Sequence, residues 1–128
     1  MDDRQVRAVD PFDLPDWLGT GDVTWAATAS ARGEPRVPGR LEAGDRALDC
    51  DLLAADQAFP LPMLPEAWRA QVHQAWSYGQ VLLVEDGGRL TLAVPGTSFN
   101  ADLALETLGR FAKAVGADPA RFAVRLRL

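Results

Sequence analysis

The last run of the chain alternates without a slip: Phe122, Val124, Leu126 and Leu128 fall on one face, Ala123, Arg125 and Arg127 on the other. That period of two predicts a strand buried on one side. A longer period governs residues 101 to 115. Ala104, Leu105, Leu108, Phe111, Ala112 and Val115 recur on one side at helical spacing, and Asp102, Glu106, Arg110 and Lys113 fall opposite. Asn100 supplies the N-cap of this helix and Gly116 its stop. Ahead of it, "QVLLVEDGGRLTLAVPG" has two β-rich runs closed by Asp86, Gly87 and Gly88, a hairpin in which Glu85 and Arg89 are placed to pair across the strands.

The first half of the chain is shorter in period and richer in punctuation. "VTWAAT", "RVPGRLEA" and "ALDCDLLA" are separated by "SARGEP" and "AGDR", the pattern of an antiparallel meander. Pro38 inside the second run cannot donate to a ladder and assigns that run to an edge or a bulge. Residues 55 to 65 form a linker whose Pro60, Pro62 and Pro65 exclude helix and central strand. Pro65 suits a first helical position, and a helix from about 65 to 78 ends at Gly79. Residues 1 to 22, with Pro11, Pro15, Gly19 and Gly21, read as an extended arm.

The order of elements is therefore β-β-β-α-β-β-α-β. It predicts an α+β fold, an antiparallel sheet of about six strands with both helices packed on one face. Three strands, helix, two strands, helix resembles the element order of the small type III secretion chaperones. The chain departs from that order in lacking a leading helix and adding a final strand, and an order of elements carries fold rather than function.

Composition narrows the picture. A chain of 128 residues fits one domain, and 48% hydrophobic with 24% charged residues is the balance of a chain that folds alone. The net charge of −5 argues against binding along a phosphate backbone, so no nucleic-acid partner is expected. The start, "MDDRQVRAVD", is unlike a secretory leader, and no apolar stretch approaches the roughly 18 residues of a membrane helix. A cytoplasmic location and no membrane partner are expected. One cysteine excludes an internal disulfide and two-cysteine metal or redox motifs. Twelve arginines against one lysine, with no isoleucine, reflect GC-rich codons and point to a bacterial source.

Chemistry is scarce. His73, the only histidine, lies in "AWRAQVHQAW" away from the stripe formed by Trp68, Val72, Ala75 and Trp76. Ser77 stands one turn later, but a serine in the last turn of a helix has no visible orienting group or oxyanion site. Cys50 alternates inward with Leu48 and Leu52 and reads as core, beside two carboxylates that disfavour a thiolate. Asp49 and Asp51 share the opposite face, where acidic residues are expected to be solvated. They lack the spacing of a calcium loop and, two apart on one strand, cannot flank a sugar. The glycines at 19, 21, 87 and 88 do not lead from strand into helix, so no phosphate loop is present. Trp25, Trp68 and Trp76 read as core bulk. No metal or cofactor is expected.

Two proline-rich aromatic segments remain. Phe12, Leu14, Trp17 and Leu18, with Phe59, Leu61, Met63 and Leu64, are more apolar than a solvated loop requires. They either cover the sheet or line a groove for another chain. The expectation is a non-enzymatic protein-binding domain, chaperone-like or a regulatory adaptor, whose partner is another protein or a second copy. The alternative is a small enzyme or small-molecule binder with a pocket between the helix layer and the arm, using His73, Arg69 or the aspartates.

Overall fold

Turn residues set the strand connections. The computed structural model describes residues 6–30, 34–56 and 64–127. Within them, strands β1 (Val6–Ala8), β2 (Val23–Ala27), β3 (Arg36–Val37), β4 (Gly39–Ala43) and β5 (Arg46–Ala54) precede helix α1 (Glu66–Ser77). Strands β6 (Leu82–Asp86) and β7 (Arg89–Val94), helix α2 (Ala101–Ala114) and strand β8 (Phe122–Arg125) follow. Gly87 and Gly88, at φ 64° and 82°, close the predicted hairpin in the left-handed conformation that favours glycine. Asn100 caps α2 as expected, accepting from the Leu103 amide at 2.8 Å.

The fold is α+β with two α-helices among the described residues, but the sheet has eight strands and is mixed, not an antiparallel sheet of about six. Its order is β1-β6-β7-β5-β4-β2-β8, with β3 also on β5. β5 with β7 and β2 with β8 are parallel pairs; the other pairs are antiparallel. Parallel neighbours need a crossover. Between β5 and β7 it is supplied by α1 and β6, and β8 returns beside β2 from the far end of the sequence. β1, an additional strand, comes from the arm, which otherwise consists of two 3-10 turns (Pro11–Asp13 and Asp16–Gly19).

The Pro38 run is interrupted rather than at an edge. Arg36↔Leu53 and Val37↔Leu52 on one side of it and Arg40↔Asp49 on the other keep one register along β5. β4 then pairs β2, which places this line inside the sheet. Pro38 lacks the N–H, and its carbonyl instead accepts from Thr28 at 2.9 Å.

The two helices lie on opposite faces, a second correction. Cys50, Leu52 and Ala54 of β5 and Leu90, Leu92 and Val94 of β7 pack with Ala104, Leu108 and Phe111 of α2 in the larger cluster. Leu53, Ala55 and Ala93, on the alternate positions, pack with Leu64, Val72 and Trp68 in the smaller one, which belongs to α1. The central strands are apolar on both sides, and each side needs its own cover. Leu105, read as part of the α2 stripe, is exposed.

Candidate functional site

The arm leaves the sheet abruptly, and a pocket opens where it does. β1 pairs β6 through Ala8↔Val84, and the Val9 amide still donates to the Leu83 carbonyl at 2.9 Å. Asp10 then accepts from the Phe12 amide at 3.0 Å, starting the turn at Pro11. Beyond that point the arm no longer pairs with β6. A cavity of about 550 Å³ lies there between the arm, the end of α1, the start of β6 and the last turns of α2. Val9, Pro11, Ala75, Val81, Arg110 and Lys113 are among its walls.

Arg110 is held in place. Its Nη1 donates to the carbonyls of Trp76 (2.8 Å) and Gln80 (3.1 Å), Nη2 pairs with Glu106 at 2.8 Å, and the guanidinium lies 3.5 Å from the centre of the Trp76 ring. Trp76 is thus half-buried against the larger cluster and also a platform for a cation, beyond the bulk role read from sequence. Lys113 stands one turn further along α2 and makes no ion pair among the described residues. Both cations fell on the polar stripe of α2, where the sequence signal is that of a solvated face. Nothing local marks them as pocket walls.

The apolar residues singled out from sequence separate. Phe12 is 94% exposed, Leu14 and Trp17 are half-buried against the larger cluster, and Leu18 is buried. Leu64 is buried in the smaller cluster on the other face. Phe59, Leu61 and Met63 lie outside the described residues.

The part of the α1 face that the helix does not cover carries a charge cluster. Asp51, 2% exposed, accepts from Arg36 at 2.9 Å and from Arg89 through both Nε and Nη2, at 2.9–3.2 Å. Arg36 also pairs with Asp86 at 2.5 Å, and Arg89 with Asp49 at 3.3 Å. The expected solvated role therefore fails for Asp51, because long arginines on neighbouring strands reach over it. The expected Glu85–Arg89 pair is also absent: the register sets Asp86 against Arg89, and Glu85 pairs with Arg7. Hydrogen bonding to Asp51 holds Arg89 still further above its ordinary range. These carboxylates are committed to arginines, and among the described residues no three His, Cys, Asp or Glu converge as metal ligands. Cys50 is buried as predicted; desolvation pushes its thiol far above the usual range, with the Asp51 charge adding and Arg89 opposing.

His73 has the orienting group that sequence reading found missing. Its Nε2 lies 2.8 Å from Asp56 Oδ1, while Asp56 Oδ2 accepts from the Gly96 amide at 3.0 Å. Ser77, however, donates to the Gln74 carbonyl at 2.8 Å, and neither His73 nor Arg69 lines the cavity. No protein family, curated protein or solved structure matches this chain. No helix among the described residues is long and apolar enough to cross a membrane.

Proposed function

We propose that the chain is a non-enzymatic binding domain whose ligand is a small molecule held in the pocket between the arm and the two helices. One observation carries this reading: apolar side chains and two cations converge on a cavity of about 550 Å³ whose walls include no serine, threonine, cysteine, histidine or carboxylate. Small-molecule sites are cavities of roughly 300–1,000 Å³, mostly apolar, with a few placed polar groups. The test is titration with the fluorescent sulfonate anilinonaphthalene sulfonate, an apolar body with an anion. One dye per chain is expected, lost in Ala75→Trp, which fills the cavity. Equal binding to a folded Ala75→Trp chain rejects the pocket.

A second reading, docking of another protein or a second copy in a chaperone-like or adaptor role, is favoured by Phe12. That ring is 94% exposed on a capped turn, beside a smaller cavity of about 360 Å³ shared with Lys113 and Val115. Sedimentation of the wild-type chain and Phe12→Asp tests self-association: a dimer that becomes monomeric supports it, and a wild-type monomer at high concentration rejects it.

A further inference from the structure

The floor of the pocket has an unused rung of the sheet. In an antiparallel ladder, residues two apart on a strand direct their N–H and C=O to the same neighbour. The Leu83 carbonyl points to the arm, where it accepts from Val9; Val81 lies one residue before β6, and continuing the alternation of that strand by one residue turns its groups to the arm side as well. There the arm has turned away, and Pro11, the residue that would continue the pairing, has no N–H. Among the described residues nothing bonds to the amide or carbonyl of Val81, which lines the pocket.

The charged side chains that line the pocket are both cations, Arg110 and Lys113, with the Glu106 carboxylate bound to Nη2 of Arg110 at 2.8 Å. Arg110 is fixed by two carbonyls, a ring face and Glu106, whereas Lys113, the other cation of the walls, makes no ion pair among the described residues. Both belong to the C-terminal half of α2, whose carbonyl end would repel an anion. An anion here therefore depends on these two side chains.

We propose that the pocket takes a small ligand with an apolar body, a secondary amide and a carboxylate, of which an N-acyl amino acid is the simplest form. The ligand's amide N–H donates to the Val81 carbonyl as the next rung after Val9, whose amide donates to the Leu83 carbonyl. The carboxylate lies toward Lys113 and Arg110 in charge-assisted contact, and the acyl chain packs on Val9, Ala75 and Leu82. This rests on the pocket reading above and adds the chemistry of the occupant.

Calorimetric titration of the full chain with N-decanoylglycine, N-decanoylsarcosine and decanoate, each below its micellar concentration, tests it. The sarcosine compound keeps the carboxylate and loses the amide N–H; decanoate loses the whole amide. N-decanoylglycine is expected to bind once per chain and about tenfold more tightly than either, the effect of roughly one good hydrogen bond. Lys113→Gln is expected to weaken it by about tenfold with the melting temperature unchanged, since one charge-assisted contact is lost. Equal affinities for the three compounds, or an unaffected Lys113→Gln chain, overturn the assigned chemistry and leave the pocket standing. If none binds, or binding survives in Ala75→Trp, the pocket reading falls with it.

Discussion

The indole of Trp25 occupies the space that a side chain on Gly39 would need, and its Nε1 donates to the Cys50 carbonyl at 2.8 Å. The break at Pro38 explains both facts. Gly39 stands opposite Cys50 where the β4–β5 ladder is interrupted, and Trp25, reaching across from β2, supplies the missing donor. Gly39→Ala puts a methyl into the ring and is expected to cost about 3 kcal/mol, the upper range for overpacking. Trp25→Phe is expected to cost about 3 kcal/mol through lost volume and an unsatisfied buried carbonyl. Urea unfolding of the double variant is the check: the smaller ring leaves room for the methyl, so the two losses should fall short of adding. Strict additivity would contradict the contact.

Asp51 is the buried centre of the charge cluster, and its two arginines are partly exposed. Asp51→Ala leaves both guanidiniums without their shared acceptor, an expected loss of about 2–4 kcal/mol, below the full cost of a broken buried pair because the arginines can turn to water. Arg40→Ala removes only the exposed pair with Asp49 at 3.7 Å. It should change stability by no more than about 0.5 kcal/mol. Denaturant midpoints of the two variants decide between a structural cluster and an incidental one.

The contrast between these two aspartates shows where sequence reading reaches its limit. The alternation that turned Cys50 inward also turned Asp49 and Asp51 outward, and it was right about the face for all three. What it could not supply was the neighbour: Asp51 is buried by Arg36 and Arg89, 15 and 38 residues away in sequence. Helix limits, caps and the 86–88 hairpin rest on local chemistry and were legible. The parallel pairs and the opposite placement of the helices are nonlocal, yet one trace of them was present. Leu52, Leu53, Ala54 and Ala55 form a run with no alternation, the mark of a strand covered on both faces. The lining of the pocket left no such trace, because its walls come from four separate elements and its cations resemble any solvated stripe.

Cys50 links burial to pH. Its thiol is raised in the folded chain, so the folded state keeps the proton that the unfolded state releases above its ordinary pKa of about 8.5. The stabilisation is complete below that pH and is lost as pH rises beyond it, at up to about 1.4 kcal/mol per pH unit. Stability measured from pH 7 to 10 should fall more steeply for the wild-type chain than for Cys50→Ala. Parallel slopes would refute it. In the native chain at pH 8 a thiol reagent should react only on the timescale of unfolding.

His73 and Asp56 form a more exposed contact, with His73 more than half exposed. Such pairs are worth little. His73→Gln should shift stability by no more than about 0.5 kcal/mol at neutral pH, read from thermal melts. A loss of several kcal/mol would mean that the bonds from His73 through Asp56 to Gly96 fasten α1 to the turn after β7.

The arm joins cover and site in one segment, and truncation separates its parts. Removing residues 1–18 deletes β1, uncovers the edge of β6, strips buried Leu18 from the larger cluster and takes half-buried Leu14 and Trp17 with it. A fully buried side chain of that size is worth roughly 1.5–3 kcal/mol, and a domain of this length has about 5–15 kcal/mol in all. The truncated chain should therefore lose its cooperative thermal transition. Phe12→Ala touches the same segment but an exposed ring, so its melting temperature should match the wild type. An unshifted transition in the truncated chain would show that the arm covers nothing the core needs, and it would remove one wall of the pocket without unfolding the rest. A large loss in Phe12→Ala would instead mean that the ring is buried in solution, against a second copy of the chain. Running that variant at two protein concentrations separates this case, since only an intermolecular contact makes the transition depend on concentration.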